Sequence, residues 1–209
     1  MMALLIENGI RSPSVLNAMA GVPREEFVLA ADRNRAYDDQ ALPIAAQGQT
    51  ISQPLMVAIV VEALELQPGA LALDVGTGSG YQAAVMSACG ARVVSIERLE
   101  PLAREAADRL HRLDYDVEVI AGDGSLGVPE RAPFDAIAVG AAAPRLPVAL
   151  ARQLVEGGRL VIPITDGSRA EDLTRLRLID GRWQTESLGA CRFVPLIGAD
   201  GYAEADPPG

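Results

Sequence analysis

Three groups of residues have types and spacings suited to holding a small molecule. The first is Asp74-Val-Gly76-Thr77-Gly78-Ser-Gly80-Tyr81. Glycines at alternate positions let the chain turn tightly and let a ligand come close to the backbone. The dinucleotide fingerprint GxGxxG wants Gly or Ala where this chain has Tyr81, and the spacing here is GxGxG. A pyrophosphate also has little use for a carboxylate directly before the glycines. Asp74 suits a cationic ligand portion instead, such as the amino group of S-adenosylmethionine. The second group is Glu97, 21 residues beyond Gly76, where a carboxylate can accept hydrogen bonds from ribose hydroxyls. The third is Asp123-Gly124, whose carboxylate is expected to meet the exocyclic amine of an adenine. Singly, these are a strand–helix turn, a solvated strand end and an Asp-Gly turn. Jointly, their spacing points to a nucleoside cofactor.

Those residues need strands ending at one edge. Apolar runs predict strands over 71–75, 92–96, 117–121, 134–139 and 159–164, the last following Gly157-Gly158. Helices are expected over 82–88, 100–113 and 147–154. Strand–helix alternation implies a parallel sheet covered on both faces. Segments 173–179 and 183–188 flank Asp180-Gly181, a hairpin signal, so the sheet should finish with antiparallel strands. The fold class is therefore α/β: a doubly wound, mostly parallel Rossmann-like sheet with an N-terminal helical extension and a C-terminal antiparallel hairpin. Ahead of the first strand, Ser12-Pro13 reads as a helix start with Val15, Leu16 and Met19 on one face. Pro23 opens a second short helix with Phe27 inward, 33–50 reads as loops, and 55–66 as a helix closed by Pro68-Gly69. The whole chain, 1–209, is expected to be one domain: a helical and substrate-loop extension (1–68), a cofactor-binding core (69–198) and a flexible tail (199–209).

The composition narrows the partners. The net charge is −10, from 28 acidic and 18 basic residues, which disfavours a nucleic-acid partner. Cys89 and Cys191 do not form a CxxC pair, and His111 is the sole histidine. Metal binding and histidine-based nucleophilic mechanisms are accordingly not expected. Met1–Arg11 lacks an early positive charge and is interrupted by Glu7, unlike a secretory signal. No stretch approaches the ~20 apolar residues of a membrane span. The expectation is a cytoplasmic, monomeric protein with no membrane partner.

Several segments together resemble the protein-L-isoaspartate(D-aspartate) O-methyltransferase family of S-adenosylmethionine-dependent class I methyltransferases. They include Val22-Pro-Arg-Glu-Glu-Phe27, Ala36-Tyr-Asp-Asp-Gln-Ala-Leu-Pro-Ile44, Gly48-Gln-Thr50-Ile51-Ser52-Gln53-Pro54, the Asp74–Gln82 turn, Ser95-Ile-Glu97-Arg98, Gly122-Asp-Gly124, Ala141-Ala-Ala-Pro144, Gly157–Pro163 and Arg192-Phe-Val194-Pro195-Leu196. The resemblance spans residues 9–198, and Thr-Ile-Ser-Gln-Pro is its most specific piece. It implies methylation of the carboxylate of isoaspartyl residues in damaged proteins and peptides. The ester then cyclises to a succinimide, which hydrolyses in part to normal aspartate.

By the same resemblance, Ser52 and Thr50 act on the acceptor, and Ile51, Gln53, Val194 and Pro195 contact the substrate. Asp74, Gly76, Thr77, Gly78, Gly80, Glu97, Arg98, Asp123 and Gly124 hold S-adenosyl-L-methionine. Ser52 has a plainer use as the N-cap of the helix starting near Pro54. Two departures from the family lie at the expected substrate edge: an extra residue within Ala45-Ala46-Gln47, and Gly140 where Thr is frequent. The alternatives are a methyltransferase of a small molecule or RNA, or a catalytically degenerate relative that only holds cofactor.

Overall fold

The N-terminal third wraps helices against the sheet that follows. The computed structural model describes residues 1–44, 48–165 and 170–204. Helix α1 (Met2–Glu7), which the apolar start of the chain did not announce, buries Leu5. Helix α2 (Pro13–Gly21) starts at the Ser12-Pro13 signal and buries Val15, Ala18 and Met19. Two 3₁₀ turns follow, Arg24–Glu26 and Ala30–Arg35, and Phe27 is buried as expected. The region read as loop contains a two-stranded ribbon, β1 (Leu42–Pro43) and β2 (Thr50–Ile51), pairing Leu42 with Ile51. Ala45–Gln47, the site of the extra residue, lies outside the described residues.

Helix α3 (Pro54–Leu64) ends two residues earlier than its apolar pattern suggests. Glu65 takes a left-handed conformation, and its carboxylate pairs with Arg159 and Arg175 from distant strands. Val57, Val61 and Leu64 are fully buried, each contributing about 1.5–3 kcal/mol.

The core alternates as expected: β3 (Leu71–Val75), α4 (Tyr81–Ala88), β4 (Arg92–Glu97), α5 (Glu100–Arg112), β5 (Val117–Ala121) and β6 (Phe134–Val139). Helix α6 (Val148–Ala151) is only one turn, and β7 (Leu154–Thr165) starts five residues before the expected strand. Phe134 pairs with Leu154 and Ala136 with Arg159, so 155–158 bulges out of the ladder. The glycine pair thus sits inside the strand rather than before it. Antiparallel β8 (Glu171–Ile179) and β9 (Arg182–Cys191) close the sheet around Asp180-Gly181.

The strand order is β5-β4-β3-β6-β7-β8-β9. Ala72, Val93, Ala138 and Val161 pack on one face with the helices α2 to α5. Leu73, Val75, Ile96, Ile137 and Leu160 pack on the other. That second face is covered by α6, 3₁₀ turns and the C-terminal segment, so the two covering layers are unequal. The chain runs outward from β3 to β5 and returns to β6, so connections diverge between β3 and β6. Open α/β sheets bind ligands in the crevice at the carboxyl edge of such a divergence.

Candidate active site

Two loops meet at that crevice. Gly76, Gly78 and Gly80, following β3, have φ of +88°, +53° and +89°, a region that L side chains rarely adopt. Gly140, following β6, donates its N–H to Val75 O at 2.8 Å. A Cβ on Gly140 would stand 3.4 Å from Gly76 O and Val75 O, at the edge of ordinary van der Waals contact.

A cavity of about 290 Å³ opens beside them, lined by Gly76, Gly78, Glu97, Arg98, Gly124 and Val194 among others. Glu97 is nearly buried, its Oε2 accepting from Gly78 N–H at 3.0 Å and its Oε1 from Leu99 N–H at 3.1 Å. Ile96, Ala141 and Leu196 give the cavity an apolar wall. A buried carboxylate at Glu97, a second acid at Glu204, a glycine-lined backbone and an apolar slot fit a nucleoside that carries a cationic tail. Arg98, at the rim, pairs with Glu204 at 3.4 Å.

A second cavity of about 40 Å³ adjoins the first, sharing Thr50, Gly76, Gly78 and Gly140. Ile51, Ser52, Thr77, Tyr81 and Gln82 complete its wall. The ribbon β1–β2 presents Thr50 to both cavities. Among the described residues the Ser52 hydroxyl has no hydrogen-bond partner, while the Ser52 carbonyl accepts from Arg24 Nη2 at 2.8 Å. Helix α3 takes Gln53 as its N-cap without a side-chain bond. The cap is supplied from elsewhere, because Asp39 Oδ1 accepts from Leu55 N–H at 2.9 Å. The capping use of Ser52 is therefore already filled by Asp39.

Of the sequence-predicted residues, Gly76, Gly78, Glu97, Arg98, Gly124, Thr50, Val194 and Pro195 line the larger cavity, and Thr77, Ile51 and Ser52 the smaller. Gln53 lines neither cavity. Gly80 serves as the N-cap of α4. Asp74 lines neither cavity. It is fully buried, accepting from Gln82 Nε2 and Ser95 Oγ, each at 2.8 Å. Burial raises its pKa to about 6, against the opposing pull of those two bonds. Asp74 thus braces the glycine turn from behind.

Asp123 lines neither cavity. Its Oδ1 accepts from Ser125 N–H and Oγ–H at 2.9 and 2.7 Å, and its Oδ2 from Ala199 N–H at 2.7 Å. With both oxygens engaged, it ties the turn after β5 to the C-terminal segment. Residues 199–204, read from sequence as tail, are held: Tyr202 N–H donates to Leu196 O, its hydroxyl reaches Thr165 Oγ1 at 2.9 Å, and Asp200 pairs with Arg145. Residues 205–209 lie outside the described residues.

Sequence reasoning assigned no role to Arg24, Asp39, Tyr81, Gln82 or Leu196. Each stands inside a quoted motif, and Arg24, followed by Glu25 and Glu26, carries no local signal of burial. Among the described residues, no helix is long and apolar enough to cross a membrane, and no group of three or more His, Cys, Asp or Glu could hold a metal ion.

This strand order, the glycine turn after β3 and the carboxylate ending β4 define the class of α/β methyltransferases. The chain belongs to the protein-L-isoaspartate(D-aspartate) O-methyltransferase family, whose model matches residues 1–201. It is 54% identical to protein-L-isoaspartate O-methyltransferase 2 of Pelobacter propionicus over 95% of this chain and 88% of that one. It is 51% identical to the protein-L-isoaspartate O-methyltransferase of Roseiflexus castenholzii over 100% and 95%. A solved protein-L-isoaspartate O-methyltransferase superposes with a TM-score of 0.85 at 30% identity, covering 95% of this chain and 65% of that one. The Plasmodium falciparum beta-aspartate methyltransferase, in complex with S-adenosyl-L-homocysteine, superposes with a TM-score of 0.81 at 28% identity, covering 94% and 96%.

Proposed function

We infer that this chain is a protein repair enzyme that moves a methyl group from S-adenosylmethionine to the carboxylate of L-isoaspartyl residues. The observation that carries this reading is the junction of two cavities through Thr50, Gly76, Gly78 and Gly140. One suits a nucleoside, and the other is about the size of a small acceptor group.

The bound cofactor supplies an electrophilic methyl on a sulfonium. Asp74, Gly76, Thr77, Gly78, Gly80, Glu97, Arg98, Asp123 and Gly124 are the residues that hold it in this reading, Asp74 from behind the glycine turn. An isoaspartyl carboxylate is already ionised at pH 7, so the acceptor oxygen needs no general base. The remaining work is alignment and exclusion of water. Ser52 and Thr50 align the acceptor, and Ile51, Gln53, Val194 and Pro195 shape its approach. His111 is exposed on α5 and takes no part. The net charge of −10 favours a protein or peptide substrate over nucleic acid, and the reading extends to a cytoplasmic, monomeric enzyme.

The test is methyl transfer to a peptide carrying one isoaspartate and to the same peptide with normal aspartate. Label on the isoaspartyl peptide, released by alkali as methanol, is expected in large excess. Equal labelling of both, or labelling of RNA alone, would reject the reading. Cofactor binding without transfer to any acceptor would leave a degenerate binding protein.

A further inference from the structure

Arg24 is fully buried in the 3₁₀ turn Arg24–Glu26. Its Nε donates to Ala36 O at 2.7 Å and its Nη2 to Ser52 O at 2.8 Å. Its guanidinium carbon lies 4.6 Å from the centre of the Tyr81 ring. Nη1 is buried with no hydrogen-bond partner among the described residues, and Arg24 forms no ion pair among them. Asp39, the acid that acts on it electrostatically, gives its Oδ1 to Leu55 N–H. A guanidinium stays protonated in proteins, and an unpaired charge is costly to bury. Tying two carbonyls together needs only neutral donors, so a buried charge with no ion pair and a free Nη1 among the described residues calls for another use. Ser52 and Tyr81, the two groups that Arg24 touches most closely beyond Ala36, both line the smaller cavity.

Resting on the acceptor site proposed above, we propose that Arg24 is the positioning and charge-selecting residue of the smaller cavity. Through the Ser52 carbonyl it fixes the Thr50–Ser52 segment. Its cation, held behind Ser52 and Tyr81, sets a positive potential that selects an ionised acceptor over a neutral one of the same shape. The arriving carboxylate adds to the field of Asp39 on a cation that has no ion pair among the described residues. Coulomb interaction across a few ångströms of low-dielectric protein is strong enough to give discrimination of about tenfold or more.

The experiment uses two inhibitory peptides, one isoaspartyl and one with that carboxylate replaced by a carboxamide. They are tested on the wild-type protein and on Arg24→Met, Arg24→Gln and Arg24→Lys. Calorimetry with S-adenosyl-L-homocysteine reports the integrity of the fold and the larger cavity, and is expected within about twofold of wild type. Wild type should bind the carboxylate peptide about tenfold or more tighter than the carboxamide. Met and Gln should bring that ratio towards one, while Lys retains most of it with a lower kcat. If Met or Gln weakens both peptides equally and keeps the ratio, Arg24 is only a tie between loops and the proposal fails. If Met does not fold, Gln against Lys decides, since one keeps donors and the other keeps charge. A wild-type protein that neither methylates nor prefers the isoaspartyl peptide overturns this proposal and the functional reading together. Normal methylation with the ratio preserved in the variants overturns this proposal alone.

Discussion

Ser52 stands two residues before helix α3, where a serine either caps a helix or is free for other work. Its hydroxyl is unpaired among the described residues, and the first-turn Leu55 N–H is taken by Asp39. Ser52→Ala is therefore expected to leave the melting temperature nearly unchanged and S-adenosylmethionine affinity intact. Methyl transfer to an isoaspartyl peptide should fall on the order of a hundredfold, the scale for a misaligned nucleophile. A lower melting temperature with normal transfer would move the alignment role to Thr50 or to the backbone. Asp74 makes a separate prediction. Its pKa is raised from 3.8 to about 6, chiefly by burial, so the fold favours its neutral form. That contribution to stability is complete below the unfolded value and is lost as pH rises through about 6, amounting to roughly 3 kcal/mol at about 1.4 kcal/mol per pKa unit. Asp74→Asn removes the ionisation. The melting-temperature difference between variant and wild type should swing in the variant's favour from pH 4 to pH 7, and a constant difference would contradict the assignment.

The period-two and period-3.6 patterns placed β3 to β6 of the parallel core and the two crossover helices α4 and α5 within a residue or two. They failed where a distant partner intervened. Helix α3 stops at Glu65, whose left-handed backbone ends it and whose carboxylate pairs with Arg159 and Arg175, and β7 begins before Gly157-Gly158 because Leu154 pairs with Phe134. The ribbon β1–β2 is too short to show a pattern. Its position relative to α3 depends in part on Asp39, and so Asp39→Ala should cost about 1 kcal/mol, the usual loss for a removed cap. That corresponds to about 2–4 °C in melting temperature for a chain of this size. Asp39→Asn, which keeps an acceptor, should recover most of it. An Asp39→Ala protein that melts like wild type would show that α3 does not need this cap.

Taken as a whole molecule, the larger cavity is closed by a segment far along the chain from the glycine turn. Leu196 and Ile197 line it, and Asp123 and Ser125 hold the chain just beyond through Ala199 N–H and Asp200 N–H. Asp123→Ala should release this segment and the turn after β5 together. The expected result is faster hydrogen exchange at the Ala199 and Asp200 amides, with S-adenosyl-L-homocysteine affinity weakened on the order of tenfold by loss of ordered wall. Unchanged exchange at those amides would mean that the Tyr202 contacts hold the segment unaided.

What the sequence alone determined was local: where glycines must turn, which stretches alternate, and that a carboxylate should end β4 beside the turn. These follow from backbone sterics and side-chain period, which act over a few residues. The tertiary structure decided which charges are buried and what meets them. Asp74 and Asp123 read from sequence as ligand groups, and the fold adds partners that no local pattern shows: Gln82 and Ser95 for one, Ser125 and Ala199 for the other. Arg24 read as an unremarked member of a motif, and it lies fully buried against Tyr81 and the Ser52 carbonyl. A charge is visible in the sequence, but the cost of burying it depends on groups that approach from up to 76 residues away, and only the packed chain brings those together.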